Sequence, residues 1–142
     1  MPAAETLTFK HLVNAPAAEA FRAFTHATAL RDWLCNAAQS DPRLNGRLYL
    51  WWEDGYAVAG VFTKFEPGRR LSFTWGSPQE PGLLTVNVRF KEKSGRTQVS
   101  VEHGGLGKGA KWQATRARLG AAWQTGLENL ASQLEAGVDL RY

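Results

Sequence analysis

The stretch Gly109–Glu135, GAKWQATRARLGAAWQTGLENLASQLE, contains no proline, and its reading decides how the remaining chain must fold. Trp112, Arg116, Leu119, Trp123, Leu127, Leu130 and Leu134 recur in it at spacings of three and four. That period puts them on one face of a helix. Such a helix is roughly 39 Å long at 1.5 Å per residue.

Upstream the period changes to two. Leu84, Val86, Val88 and Phe90 share a face opposite Thr85, Asn87, Arg89 and Lys91, and Val99, Val101 and His103 oppose Ser100 and Glu102. Leu71, Phe73 and Trp75 oppose Arg70, Ser72 and Thr74; Leu7, Phe9, His11 and Val13 oppose Thr8, Lys10 and Leu12. Asp54-Gly55 marks a two-residue hairpin between Arg47–Glu53 and Tyr56–Glu66, and Pro67-Gly68 and Ser94-Gly95 mark the next turns. The parity of Arg47–Glu53 is open, because Tyr49, Trp51 and Trp52 leave no clean polar face. Strands that alternate in this way predict an antiparallel sheet with one wet face and one covered face.

Between the first strand and the hairpins, Asn14-Ala15-Pro16 starts a helix with Ala17, Ala20, Phe21 and Phe24 as its apolar stripe. Thr25 or Thr28 then caps a second short helix carrying Leu30, Trp33 and Leu34, and Asn36–Asn45 is expected to be a loop. Six strands at about 4.8 Å make a sheet some 24 Å across, so one terminal helix can lie over it. A rod about 10 Å wide cannot fill the concave face of so broad a sheet. Side chains plug the gap or a pocket remains, and six tryptophans and seven phenylalanines are available for either purpose.

Several stretches carry a more specific pattern. They are Phe21-Arg22-Ala23-Phe24-Thr25 with Leu30 and Trp33, Gly60-Val61-Phe62, and the run from Glu66-Pro67-Gly68-Arg69-Arg70 to Trp75. His103-Gly104-Gly105 and Trp123 with Leu127, Leu130 and Leu134 complete it. With these the chain resembles the helix-grip superfamily (SRPBCC) that includes START-type lipid-transfer domains and the birch pollen allergen. More narrowly it resembles bacterial single-domain proteins grouped with the activator of heat-shock protein 90 ATPase. It departs from the family pattern at Asn45-Gly46, where a double glycine is common, and at Ala122-Trp123, where Gly-Trp is common. The resemblance implies an α+β fold: a curved antiparallel sheet of six or seven strands wrapped on a long C-terminal helix, with two short helices after the first strand. It implies a ligand cavity between sheet and helix, or a co-chaperone role, or a cyclase- or hydrolase-like activity.

At 142 residues the chain suits one domain over 1–142 with a core at about 6–135, hiding about 68% of its unfolded surface. No apolar run approaches the roughly 18 residues of a membrane span, and residues 1–5 have neither a basic nor an apolar leader region. The single Cys35 fits a reducing, cytoplasmic setting and is expected to be a buried thiol rather than a nucleophile. Eight of the seventeen Lys and Arg residues fall within 89–118, against Glu92 and Glu102. This basic stretch is expected to be a solvated face that suits an acidic protein partner such as a chaperone; no motif for nucleic acid accompanies it.

The cavity wall expected from these patterns is Trp33, Leu50, Trp52, Phe62, Phe73, Trp75, Val86, Val88, Val101, His103, Trp112, Leu119 and Trp123. A small apolar or amphipathic molecule is the expected partner, and no catalytic constellation is visible. His103 ends a strand on the inward face, where it meets ligand at the pocket mouth or sits half-exposed and satisfied by water or backbone. Lys108, Lys111 and the helix N-terminus form a positive corner for an anionic head group. Gly104–Gly109 lacks the Ser or Thr after Lys108 that a phosphate loop requires. Neither a His-x-His nor a Cys-x-x-Cys pair is present, so no metal and no cofactor are expected.

Overall fold

The computed structural model describes residues 5–141; the leader reading at residues 1–4 lies outside them. Strand β1 (Glu5–Val13) is followed by α1 (Ala17–Thr25) and α2 (Ala27–Trp33). Then come β2 (Ala37–Ser40), β3 (Arg47–Trp51), β4 (Ala57–Glu66), β5 (Arg70–Trp75), β6 (Leu84–Lys93) and β7 (Arg96–Leu106). A 3₁₀ turn, Ala110–Trp112, leads into α3 (Gln113–Ala136). The seven strands form one antiparallel sheet in the order β1-β7-β6-β5-β4-β3-β2.

The structure resolves the parity of β3. Leu48 and Leu50 point inward, while Tyr49 and Trp51 are 41% and 45% exposed. Trp52 falls just beyond the strand, where the backbone turns through Gly55 at φ 94°. Ala37–Ser40, expected to be loop, pairs with β3 as a short edge strand. Its small and polar side chains carry no hydrophobic alternation, so only the backbone ladder to β3 reveals it.

Strand β7 also runs further than expected, to Leu106. Thr6 pairs with Gly104 and Glu5 with Leu106, which leaves Gly105 (φ 91°) as the extra residue of a bulge. The glycines after His103 therefore continue the sheet before they turn the chain. Pro16 is the N-cap of α1 rather than its first helical residue, and Glu92 Oε1 accepts the Ala17 N–H at 2.6 Å. His26 both ends α1 and begins α2. Thr25 does not cap α2, because its hydroxyl donates back to Phe21 O. Neither does Thr28, since α2 has no side-chain cap.

The long helix begins later than expected. Its first turn is the 3₁₀ segment, and Gly107 precedes it because a Cβ there would collide with the Trp112 indole. Gly137, left-handed at φ 67°, ends α3 by donating its N–H to Gln133 O at 2.9 Å. Leu119, Trp123, Leu127 and Leu130 of α3 are buried with Val86, Val88, Val99 and Val101 of the sheet and Phe21, Phe24 and Trp33 of the first two helices. Among the strands, α3 lies nearest β1, at one edge of the sheet.

Candidate functional site

The rod leans toward β1, so the space it leaves opens on the β3–β5 side. A cleft of about 410 Å³ lies there, between α3, the end of α2, the β3–β4 turn and the C-terminal residues Leu140 and Arg141. That volume falls in the range of small-molecule sites. Of the wall residues expected from sequence, Trp33, Trp52, Trp75, Leu119 and Trp123 line it. Leu50 borders a different, shallower groove with Tyr49 and Trp51. Phe62, Phe73, Val86, Val88, Val101 and Trp112 are buried in the core away from the cleft. Apart from Trp112, which lies in the 3₁₀ turn, they share the inward face of the sheet with Trp75 and belong to the packed core.

The four lining indoles each have their N–H engaged. Trp33 donates to Ala23 O at 2.8 Å, and Trp52 to Leu34 O at 2.8 Å. Trp75 donates to the Tyr56 hydroxyl at 2.9 Å, and Trp123 to His103 Nδ1 at 2.8 Å. The rings of Trp52, Tyr56, Trp75 and Trp123 follow one another at centroid separations of 5.3–6.5 Å and tilts of 38–54°.

His103 departs from the expectation most clearly. It is neither at a mouth nor half-exposed but wholly buried. Strand β7 continues past it and Trp123 lies over it, while its sheet neighbours are Leu7 and Val86. Burial pushes the imidazole down to about 4, so the ring is neutral at pH 7. Accepting from Trp123 at Nδ1 places the proton on Nε2, which has no hydrogen-bond partner among the described residues. Among the described residues no carboxylate hydrogen-bonds the ring.

A polar cluster that the sequence did not announce edges the cleft. Glu80, in the loop between β5 and β6, has a fully buried side chain. One carboxylate oxygen accepts from the Thr115 hydroxyl, and the other faces Arg118 Nη1 at 3.1 Å. Arg118 also lies over the Tyr56 ring, its Cζ 4.5 Å from the centroid. Burial, then the charge and hydrogen bond of Glu80, push the Tyr56 phenol up to about 12 against the opposing effects of Trp75 and Arg118. Glu80 was illegible because a carboxylate in a Pro- and Gly-bounded loop normally faces water. The available signal was Thr115 and Arg118, three apart and so on one side of the helix.

Asn129, buried in α3, ties down the chain after the helix. Its amide donates to Trp33 O (2.8 Å) and Asp139 (3.0 Å), and its carbonyl accepts from Leu140 N (2.6 Å). Lys108 and Lys111 are exposed and do not line the cleft; Lys108 precedes the 3₁₀ turn and Lys111 lies within it, ahead of the first turn of α3. Cys35 is buried, and that burial pushes its thiol up to about 11. Among the described residues no three His, Cys, Asp or Glu side chains gather as a metal site, and no helix is long and apolar enough to cross a membrane.

A curved antiparallel sheet gripping one long C-terminal helix, with two short helices after the first strand, is a helix-grip α+β fold. Residues 14–135 match the family described as activator of Hsp90 ATPase homolog 1-like protein, and the chain belongs to that family. No curated protein matches it by sequence. Among solved structures it is similar to CalU16 from Micromonospora echinospora, at 21% identity and TM-score 0.77 over 97% of this chain and 79% of that one. The Aha1 dimer from Colwellia psychrerythraea superposes at TM-score 0.81 with 15% identity, over 94% and 98% of the two chains. An HSP90 activator from Plasmodium falciparum superposes at TM-score 0.76 with 22% identity, over 93% and 96%. At these identities the likeness is one of fold.

Proposed function

We propose that this protein binds a small apolar or amphipathic molecule in the cleft between α3 and the β3–β5 side of the sheet, in a cytoplasmic setting. The observation that carries the reading is the unfilled wedge of about 410 Å³ walled by Trp33, Trp52, Trp75 and Trp123. A chain needing only a packed core would gain by filling it, since apolar surface left wet forgoes about 25 cal/mol per Å². The test is titration with 1-anilinonaphthalene-8-sulfonate, together with native mass spectrometry of protein from its own host. Saturable one-site dye binding or a retained small molecule supports the reading; a protein that carries nothing and takes up no dye overturns it.

A second reading has one observation of its own. Arg89, Lys91, Lys93 and Arg96 are exposed on β6 and β7, with Arg70 opposite Arg89 and Lys93 opposite Arg96. Like charges directly opposite one another cost stability unless something neutralises them. An acidic surface on a partner of the Hsp90 type would do so, in keeping with the family. It predicts pull-down of such a chaperone that weakens as salt rises, and capture that charge reversal at Arg89 and Lys91 leaves intact would exclude it.

A further inference from the structure

The chemistry of the ligand can be narrowed by accounting for every polar group on the cleft wall. All four indole N–H groups already serve protein acceptors. Diverting one would strand a buried partner: a backbone carbonyl for Trp33 and Trp52, the phenol oxygen for Trp75, the imidazole for Trp123. The indoles therefore offer ring surface and nothing else. The partly buried Trp52 gives the cleft most of its open ring surface; Trp75, tilted at 44° to it, and Trp123, stacked on Phe24, are 3% and 2% exposed and back the wall. Such surfaces favour flat conjugated rings, in offset or edge-on contact, over flexible chains that gain area alone.

The remaining polar groups are mostly occupied. Asn36 Oδ1 accepts the Glu53 N–H, one Asp54 oxygen accepts the Tyr56 N–H, Thr125 donates to Ala121 O, and Asn129 holds Trp33 and the chain at Asp139 and Leu140. Arg141 is engaged with Asp139, Cys35 O and Arg31 O. Arg118 differs. Nη1 faces Glu80 and the plane rests on Tyr56, while Nη2 and Nε have no partner among the described residues. The guanidinium lines the cleft with its side chain 39% exposed. A buried carboxylate on one edge and a ring beneath fix its direction in advance, which lowers the entropy lost when it donates to a ligand.

From this accounting we infer that the cleft takes a flat, conjugated ring system bearing a hydrogen-bond-accepting oxygen, carbonyl or carboxylate, and that Arg118 selects the oxygen. The inference rests on the ligand-binding reading above and specifies its substrate class. The experiment titrates the protein, followed by its indole N–H resonances, with 2-naphthoate, 2-acetonaphthone, naphthalene, decahydro-2-naphthoate and decanoate. The two oxygen-bearing naphthalenes bind at least about tenfold tighter than naphthalene and than the saturated acid, the discrimination expected of a charged hydrogen bond plus ring contact.

Arg118→Met abolishes the preference for oxygen while naphthalene still binds. Arg118→Lys, which keeps a cation beside Glu80 and so protects the fold, loses most of that preference because the fork is gone. Decahydro-2-naphthoate or decanoate matching 2-naphthoate overturns the ring requirement and leaves the ligand-binding reading standing. Undiminished oxygen preference in a folded Arg118→Lys protein overturns the role of Arg118. No binding by any probe, the anilinonaphthalene dye included, overturns both readings together.

Discussion

Lowering the pH from 7 toward 4 should destabilise this protein through His103, whose buried imidazole resists taking up a proton. Its imidazole titrates at about 4 in the fold against 6.5 for an ordinary histidine, because burial disfavours the charged form. Between these two values the unfolded chain binds a proton that the folded chain does not, so stability falls as pH falls. At 1.36 kcal/mol per pKa unit, the loss approaches about 3 kcal/mol by pH 4 and then levels off. The groups touching the ring are Trp75 and Trp123, with Leu7 and Val86 beside it in the sheet, so no neighbouring charge offsets the effect. The assay is urea unfolding by circular dichroism at intervals between pH 7 and pH 4. His103→Leu serves as the comparison: at pH 7 it should cost about 1–3 kcal/mol, because the Trp123 N–H loses its acceptor. The variant should lack the His103 slope, so the two stabilities converge as pH falls. Equal slopes in the two proteins would refute the burial argument, since every other acid-titrating group is common to both.

Other changes probe the site and its supports. Glu80→Ala leaves Arg118 and Thr115 without their partner and should cost about 3 kcal/mol in urea unfolding, near the lower end for a broken buried pair because Arg118 stays partly hydrated. Gly107→Ala drives a Cβ into the Trp112 indole and should lower the melting temperature by an amount corresponding to about 1–3 kcal/mol of overpacking. Ala122→Phe, at an exposed cleft position of α3, should block dye binding while costing only about 0.5 kcal/mol of helix propensity. The Cys35 thiol, pushed up to about 11, stays protonated at pH 8 and should resist Ellman's reagent until urea unfolds the chain; prompt labelling of native protein would contradict its burial.

The architecture was legible because strands β5, β6 and β7 and helix α3 each bury one face and wet the other, and burial imprints a period on the sequence. Phe73, Val86 and Leu119 could be placed inside on that ground alone. The same logic fails where a residue's role depends on what covers it. Val88 and Trp75 share a sheet face, yet one lies beneath packed helices and the other at an opening, and no period distinguishes them. Strand β2 stayed hidden because Ala37, Gln39 and Ser40 have no apolar side to betray them. His103 was placed on the correct face, but its depth was set by Trp123, twenty residues away along the chain. Glu80 was invisible for a related reason: its loop reads as solvent-facing, and only the fold brings Thr115 and Arg118 against it.

The position of the opening follows from the same geometry. Helix α3 sits against β1, the edge of the sheet farthest from β2 and β3, so the wedge between rod and sheet widens toward the hairpin of Trp52 and Tyr56. Along the wall the chain spends its largest side chains, the indoles, and locks each by its N–H. Along the helix it does the reverse, presenting Ala122, Thr125 and Gly126, where a Cβ on Gly126 would already reach Trp33. Bulky residues there would close the wedge at modest cost, because helices tolerate Leu or Met better than the glycine that stands at 126. Small residues facing fixed indoles therefore keep a gap that packing alone would favour closing, and Arg118, held from behind by Glu80, stands at its edge.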